Sequence, residues 1–413
     1  MTVQWQVSAS KGFIPTMPPD SACWAQGANL QEKETRKRLA VFLDGTWNKV
    51  SDNTNVWRLR SLCAPLSPDG RRQLSYYDIG VNGRLGGMFG MGLIDNVTQA
   101  YEWLVDNYED GDEIFVFGFS RGAFTARSLT GLISKYGLLR AGGPLSAGQI
   151  YDRYRRRNDP TIRKLIELNG KGELTNVGVE ERWMVKYAMP VDIKFIGVWD
   201  TVGSHGVPFL SIPGVSRSTF GWLNTGLWLC IKNAFHAVAI DEHRFSFSPT
   251  LWTVKQTTEA APRAVDSVEQ RWFMGAHGNV GGGYHSDFLA QRPLKWMKDR
   301  AEKAGLTFRY DVDVDADAIT APIADSHGEF LGGWYKRGSS PVYRSIGQER
   351  LVVEGVASST INETIDHTVF ERYRRDPKYR PRSITDWART KKVEPEQING
   401  SVRADNPAVS VPD

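Results

Sequence analysis

The chain has 413 residues, 41% of them hydrophobic and 24% charged, and its 51 Lys+Arg face 47 Asp+Glu for a formal net charge of +4. That balance excludes disordered, collagen-like and disulfide-scaffold classes and leaves one large domain with insertions or two of average size. So small a surplus of positive charge allows weak attraction to anionic lipid but gives no argument for a nucleic-acid partner.

Residues 1–37 mix Pro, Gly and polar residues ahead of a charged run and are expected to form an arm before the fold. They hold no basic segment followed by an unbroken apolar stretch, so a secretory signal is not expected and synthesis in the cytoplasm is. The first strand covers 39–43 and is stopped by Asp44-Gly45-Thr46; a second, over 73–79, runs into a Gly-rich loop at 80–92. Residues 93–108 have helical spacing, with Leu93, Val97, Ala100, Tyr101 and Leu104 on one face. Asp110-Gly111-Asp112 turns into an apolar strand over 113–118, and 121–136 reads as a helix. A basic, helical stretch at 149–168 follows, then a strand over 192–199 and an apolar insertion over 207–239. Residues 270–276 form another strand and 289–304 another helix.

Continuous apolar strands alternating with helices predict an α/β fold with a mostly parallel sheet covered on both faces. The expected organisation is an arm (1–37), one domain (38–390, with the insertion at about 204–240) and a loose C-terminal tail (391–413). No window of about eighteen apolar residues exists, so no spanning helix is expected. The three cysteines, Cys23, Cys63 and Cys230, are far apart, and neither a disulfide framework nor a zinc site follows.

Gly118-Phe119-Ser120-Arg121-Gly122 is G-x-S-x-G at the junction of a strand and a helix, where a nucleophile elbow belongs. A serine at a glycine-flanked helix N-cap is the plainer alternative. A hydroxyl nucleophile needs a base, and the base an orienting acid. Asp200 closes the strand ending at Trp199, and His277 follows the strand ending at Ala276, in the order Ser, Asp, His. His285 and His236 compete with His277, and Asp241 and Asp287 are spare acids. Asp200 also reads as a capping acid at a strand end. Backbone N–H groups of Arg121 and of Gly45 or Thr46 are candidate oxyanion donors.

Asp44-Gly45-Thr46 after a strand also suggests an aspartyl-phosphate phosphatase, but position 42, where that chemistry needs its nucleophile, is Phe42. G-x-x-G-x-G over 87–92 opens no Rossmann unit, and no H-E-x-x-H or paired C-x-x-C occurs, so no cofactor and no metal is expected. The insertion, with Trp228, and the Gly-rich loop, with Met88, Phe89 and Met91, are candidate walls of an acyl pocket or lid, to which Asp44, His236 and His285 are added. Arg153, Arg155, Arg156, Arg157, Arg163 and Lys164 would meet lipid headgroups if the site takes lipid.

Six ungapped blocks occur in order: Phe42-Leu-Asp-Gly-Thr-Trp-Asn48, Tyr77-Asp-Ile-Gly-Val81, Gly118-Phe-Ser-Arg-Gly-Ala123 with Arg127, Phe195-Ile-Gly-Val-Trp-Asp-Thr-Val-Gly203, His236-Ala-Val-Ala-Ile-Asp241, and Trp272-Phe-Met-Gly-Ala-His277 followed by Val280-Gly-Gly-Gly-Tyr284. Together they resemble the α/β-hydrolase family that includes the catalytic part of type VI secretion phospholipase effectors, the first lipase-effector family. The resemblance runs from about residue 38 to about 300, and 363–367 and 379–381 resemble the family's closing segments. It implies a serine hydrolase acting on phospholipid esters through Ser120, Asp200 and His277, with possible delivery by a secretion system. Two positions depart from the family: Asn279 stands where Asp is usual, and Met274 where Pro is usual. A small-substrate esterase or thioesterase, and a silent hydrolase fold used for binding, are the rival readings.

Overall fold

The computed structural model describes residues 36–45, 52–80, 88–156, 159–175, 177–202, 227–255, 264–285, 287–347, 350–353 and 356–413. Nine strands form the central sheet: β1 (Arg38–Leu43), β2 (Gln73–Asp78), β3 (Glu113–Phe119), β4 (Ile193–Trp199), β5 (Ala234–Ala239), β6 (Val268–Phe273), β7 (Glu363–Ile365), β8 (Ser401–Arg403) and β9 (Ser410–Val411). Their order is β9-β8-β7-β6-β5-β4-β3-β1-β2. The first seven run parallel, and β8 and β9 pair antiparallel at one edge. The α/β class expected from the apolar strands is the class observed.

Period-two alternation on strands covered twice explains the layering. Ile114 and Val116 of β3 point into a core shared with α2 (Met88–Asn107) and α3 (Arg121–Tyr136). Phe115, Phe117 and Phe119 point the other way, toward α1 (Asn55–Leu62) and α5 (Gln291–Lys303). On that side Phe42 stacks on Phe117 at 5.0 Å and Phe195 on Phe235 at 5.4 Å. A third cluster joins Val238 and Trp272 to Ile365, to Phe370 of α6 (His367–Arg375) and to Trp387 of α7 (Arg382–Lys391). Between α5 and the strand before it lies the single-turn helix α4 (His277–Gly281).

Three expectations need correction. The run expected as an insertion ends in a central strand, because Ala234–Ala239 lies wholly buried between β4 and β6. A short apolar run covered on both faces has no period to distinguish it from other buried segments. The tail is not loose: β8 and β9 extend the sheet, and the Asp413 carboxylate lies 3.7 Å from Arg271 and 3.5 Å from Arg292. Helix α2 begins at Met88, inside the expected Gly-rich loop. The arm over 1–35, loop residues 81–87 and insertion residues 203–226 lie outside the described residues.

Candidate active site

Ser120 is the single residue between β3 and α3, at φ 58° and ψ −121°. That turn brings helix and strand so close that side chains do not fit beside it. A Cβ on Gly118 would lie 2.4 Å from the Gly122 carbonyl oxygen, and one on Gly122 would lie 2.2 Å from that of Leu43. The flanking glycines therefore hold the elbow for steric reasons. The Ser120 N–H donates to Trp199 O at 3.0 Å, which ties the turn to the end of β4.

Asp200 follows β4 directly, also at positive φ (38°). His277 opens α4, four residues past the end of β6. β3 and β4 are neighbours and β6 lies one strand beyond, across β5, yet the three side chains meet. His277 Nε2 lies 2.8 Å from Ser120 Oγ, and His277 Nδ1 lies 2.5 Å from Asp200 Oδ2. Asp200 is fully sealed, while Ser120 and His277 keep 8% and 7% of their surface open, so of the three it is the acid that is shut off from solvent by the described residues.

Burial works against ionisation of Asp200, but the Arg344 guanidinium and the His277 bond outweigh it and hold the carboxyl well below the usual range. An ionised Asp200 only accepts, so Nδ1 of His277 carries the proton and Nε2 is left to accept from the serine hydroxyl. Burial pushes His277 below its ordinary value despite the opposing pull of Asp200. Its ring is packed by Phe119 (4.7 Å between ring centroids) and Phe247 (5.0 Å). The Glu242 carboxylate accepts from the His277 backbone N–H at 3.3 Å and is itself held by Arg244 Nε at 2.8 Å. The arrangement can take a proton from the Ser120 hydroxyl and stabilise the imidazolium that results.

The family model described as the catalytic domain of Tle1-like phospholipase effectors of the type VI secretion system matches residues 37–300. The chain belongs to that family. It is 28% identical over 243 residues to an uncharacterized protein of Saccharomyces cerevisiae, an alignment covering 52% of this chain and 33% of that one. It is similar to the crystal structure of an uncharacterized protein from Pseudomonas aeruginosa, at 17% identity and a TM-score of 0.39, over 80% of this chain and 56% of that one. It is also similar to the Tle1 effector bound to the VgrG spike from the type 6 secretion system, at 18% identity and a TM-score of 0.29, over 61% of this chain and 52% of that one.

In this Tle1-like domain the rival histidines are elsewhere. His236 lies in β5, fully buried, where Nε2 accepts from Thr201 N–H at 3.1 Å and burial lowers its pKa to about 3. His285 sits on an exposed turn after α4. The spare acids are engaged too. Asp241 Oδ2 accepts from Gly275 N–H (2.7 Å) and Tyr379 O–H (3.2 Å), and Asp287, pushed up to about 6 by burial, accepts from Leu289 N–H. Asn279, at the family's Asp position, accepts from the N–H groups of Ala276 and Ala324 and holds the turn that carries His277.

Asp44 braces the loop after β1, accepting from Gly45 N–H (2.8 Å), Thr54 O–H (2.5 Å) and Tyr77 O–H (3.1 Å). The Gly45 donor is thus turned toward Asp44, and Thr46 lies outside the described residues. The side chains of Met88 and Phe89 likewise lie outside what is described. Trp228 is not beside the site. It packs against the α2–α3 core next to Cys230, whose carbonyl accepts from Ile193 at the start of β4, a strand length of about 20 Å from Ser120. The basic stretch is largely compensated internally: Arg153 pairs with Glu180 and Glu181, Arg156 with Glu180, Arg163 with Asp192 and Lys164 with Glu167.

Arg344 is the residue that sequence reasoning missed. It belongs to no regular element, follows no motif and lies past residue 300.

Proposed function

We propose that this chain is a serine hydrolase that cleaves carboxylic ester bonds, with a phospholipid as substrate. The observation that carries the reaction is the line Ser120–His277–Asp200, with contacts of 2.8 and 2.5 Å, at a strand–elbow–helix turn. Support for the phospholipid comes from membership of the Tle1-like family, which also supports delivery by a type VI apparatus as the setting. In this reading Ser120 Oγ attacks the acyl carbon while His277 Nε2 takes its proton. Asp200 orients the ring and stabilises its charged form. The oxyanion is met by the Arg121 N–H in the first turn of α3, where the 16-residue helix adds its positive end. The tetrahedral species collapses as His277 returns the proton to the departing alcohol. Water then releases the acyl group from Ser120 with the same base.

The test is labelling by a fluorophosphonate, together with turnover of a short soluble ester and of phospholipid vesicles. Ser120→Ala and His277→Ala should each abolish labelling and lower kcat by about 10⁴-fold or more, because members of one triad do not add. Undiminished turnover by a folded Ser120→Ala protein would remove the serine mechanism. Hydrolysis of the soluble ester alone would remove the phospholipid.

A further inference from the structure

We infer that Arg344 is a positioning residue for the reaction, gripping the Asp200 carboxylate so that one oxygen is presented to His277. This rests on the proposed serine mechanism. Nη1 of Arg344 donates to Asp200 Oδ1 at 2.6 Å and to Ala239 O at 2.6 Å; Nη2 donates to Asp200 Oδ2 at 3.0 Å and to Phe247 O at 2.5 Å. The guanidinium is buried, and its planar fork matches both carboxylate oxygens at once. The Ala239 N–H supplies one further bond, to Oδ1 at 3.0 Å. Without Arg344, that single backbone donor and the imidazole would hold an acid that has no access to water.

The strap that carries Arg344 is itself fastened beside the site. Val342 N–H donates to His243 O at 2.9 Å, and the Tyr343 ring packs on His243 at 5.0 Å. Arg344 therefore links a segment outside the matched residues 37–300 to the ends of β4 and β5. Its positive charge has a second effect. It offsets part of the Asp200 charge that His277 feels, which disfavours the imidazolium and keeps the base unprotonated. Among the described residues, the other ionisable groups facing the Asp200–His277 pair are Glu242 and Arg244 after β5 and Tyr284 after α4, with His236 on β5 and Arg127 on α3 behind Asp200.

Arg344→Met and Arg344→Lys separate positioning from packing. Arg344→Met should lower kcat about 10²-fold by freeing the acid. It should also move two readings to higher pH: the acid limb of kcat/KM, and the titration of His277 followed by NMR of isotope-labelled histidine. Both shift because the pair takes up its proton more readily once the neighbouring cation is gone. Arg344→Lys should restore the titration while recovering only part of kcat, since an ammonium cannot hold both oxygens. A folded Arg344→Met protein with wild-type kcat and an unmoved titration overturns the inference. If that variant does not fold, wild-type kcat in Arg344→Lys overturns it equally. The NMR reading needs no substrate, so it stands or falls separately from the proposed reaction.

Discussion

Between Asp200 and Ser120, the His277 imidazole is stripped of water by Phe119 and Phe247, and burial disfavours its charged form more than Asp200 restores it. A base must be neutral to act. The acid limb of kcat/KM should therefore fall below about 6.5, the ordinary value for histidine, and activity should persist into mildly acidic solution. A pH–rate profile on a soluble ester checks this, and a limb above the ordinary value would contradict the burial argument. Ser120, Asp200 and His277 were legible as candidates in the sequence by their placement as polar residues after apolar runs: Ser120 and Asp200 directly follow a strand and His277 lies four residues past one. Arg344 was not, since an arginine in an irregular segment looks like any solvated one until the fold folds it inward. The Gly45 donor failed for a related reason: spacing locates a backbone N–H but cannot show which way its peptide faces.

At the level of elements, the elbow is a contact between three segments: the end of β3, the first turn of α3 and the carbonyls ending β1. Gly122→Ala should press a methyl group against the Leu43 and Asp44 carbonyls, from 2.2 and 2.5 Å. The expected cost is about 1–3 kcal/mol of stability, with loss of fluorophosphonate labelling beyond what partial unfolding explains. Thermal melting and labelling rate measured on one sample separate the two effects, and wild-type values for both would refute the contact. The strands β1, β3, β4 and β6 were readable as apolar runs bounded by turn residues. Strand β5 was not, because only Lys232-Asn233 separates it from the apolar run before it, no Gly or Pro marks where it starts, and His236 interrupts it. The three-residue strands β7 and β8 are too short to carry any periodicity.

For the molecule as a whole, the family match ends near residue 300, but the core does not. Ile365, Phe370 and Trp387 cover Val238 and Trp272, and Arg344 reaches the acid from the same C-terminal third. Burying each such side chain contributes about 1.5–3 kcal/mol, so losing several exceeds the roughly 5–15 kcal/mol by which a domain is stable. A chain truncated after residue 300 should therefore give no soluble, fluorophosphonate-reactive protein, and labelling at the full-length rate would show that the matched part suffices alone. Of the five non-glycine residues at positive φ among the described residues, two are Ser120 and Asp200. The backbone is thus held in unfavourable conformations at two of the three positions on which the proposed chemistry depends. Each such conformation costs on the order of 1–3 kcal/mol. In a lineage that no longer needed turnover but still needed a folded protein, selection would relax these two positions early. By the same reasoning, a substitution that relaxes either turn should gain stability at the expense of the proposed reaction.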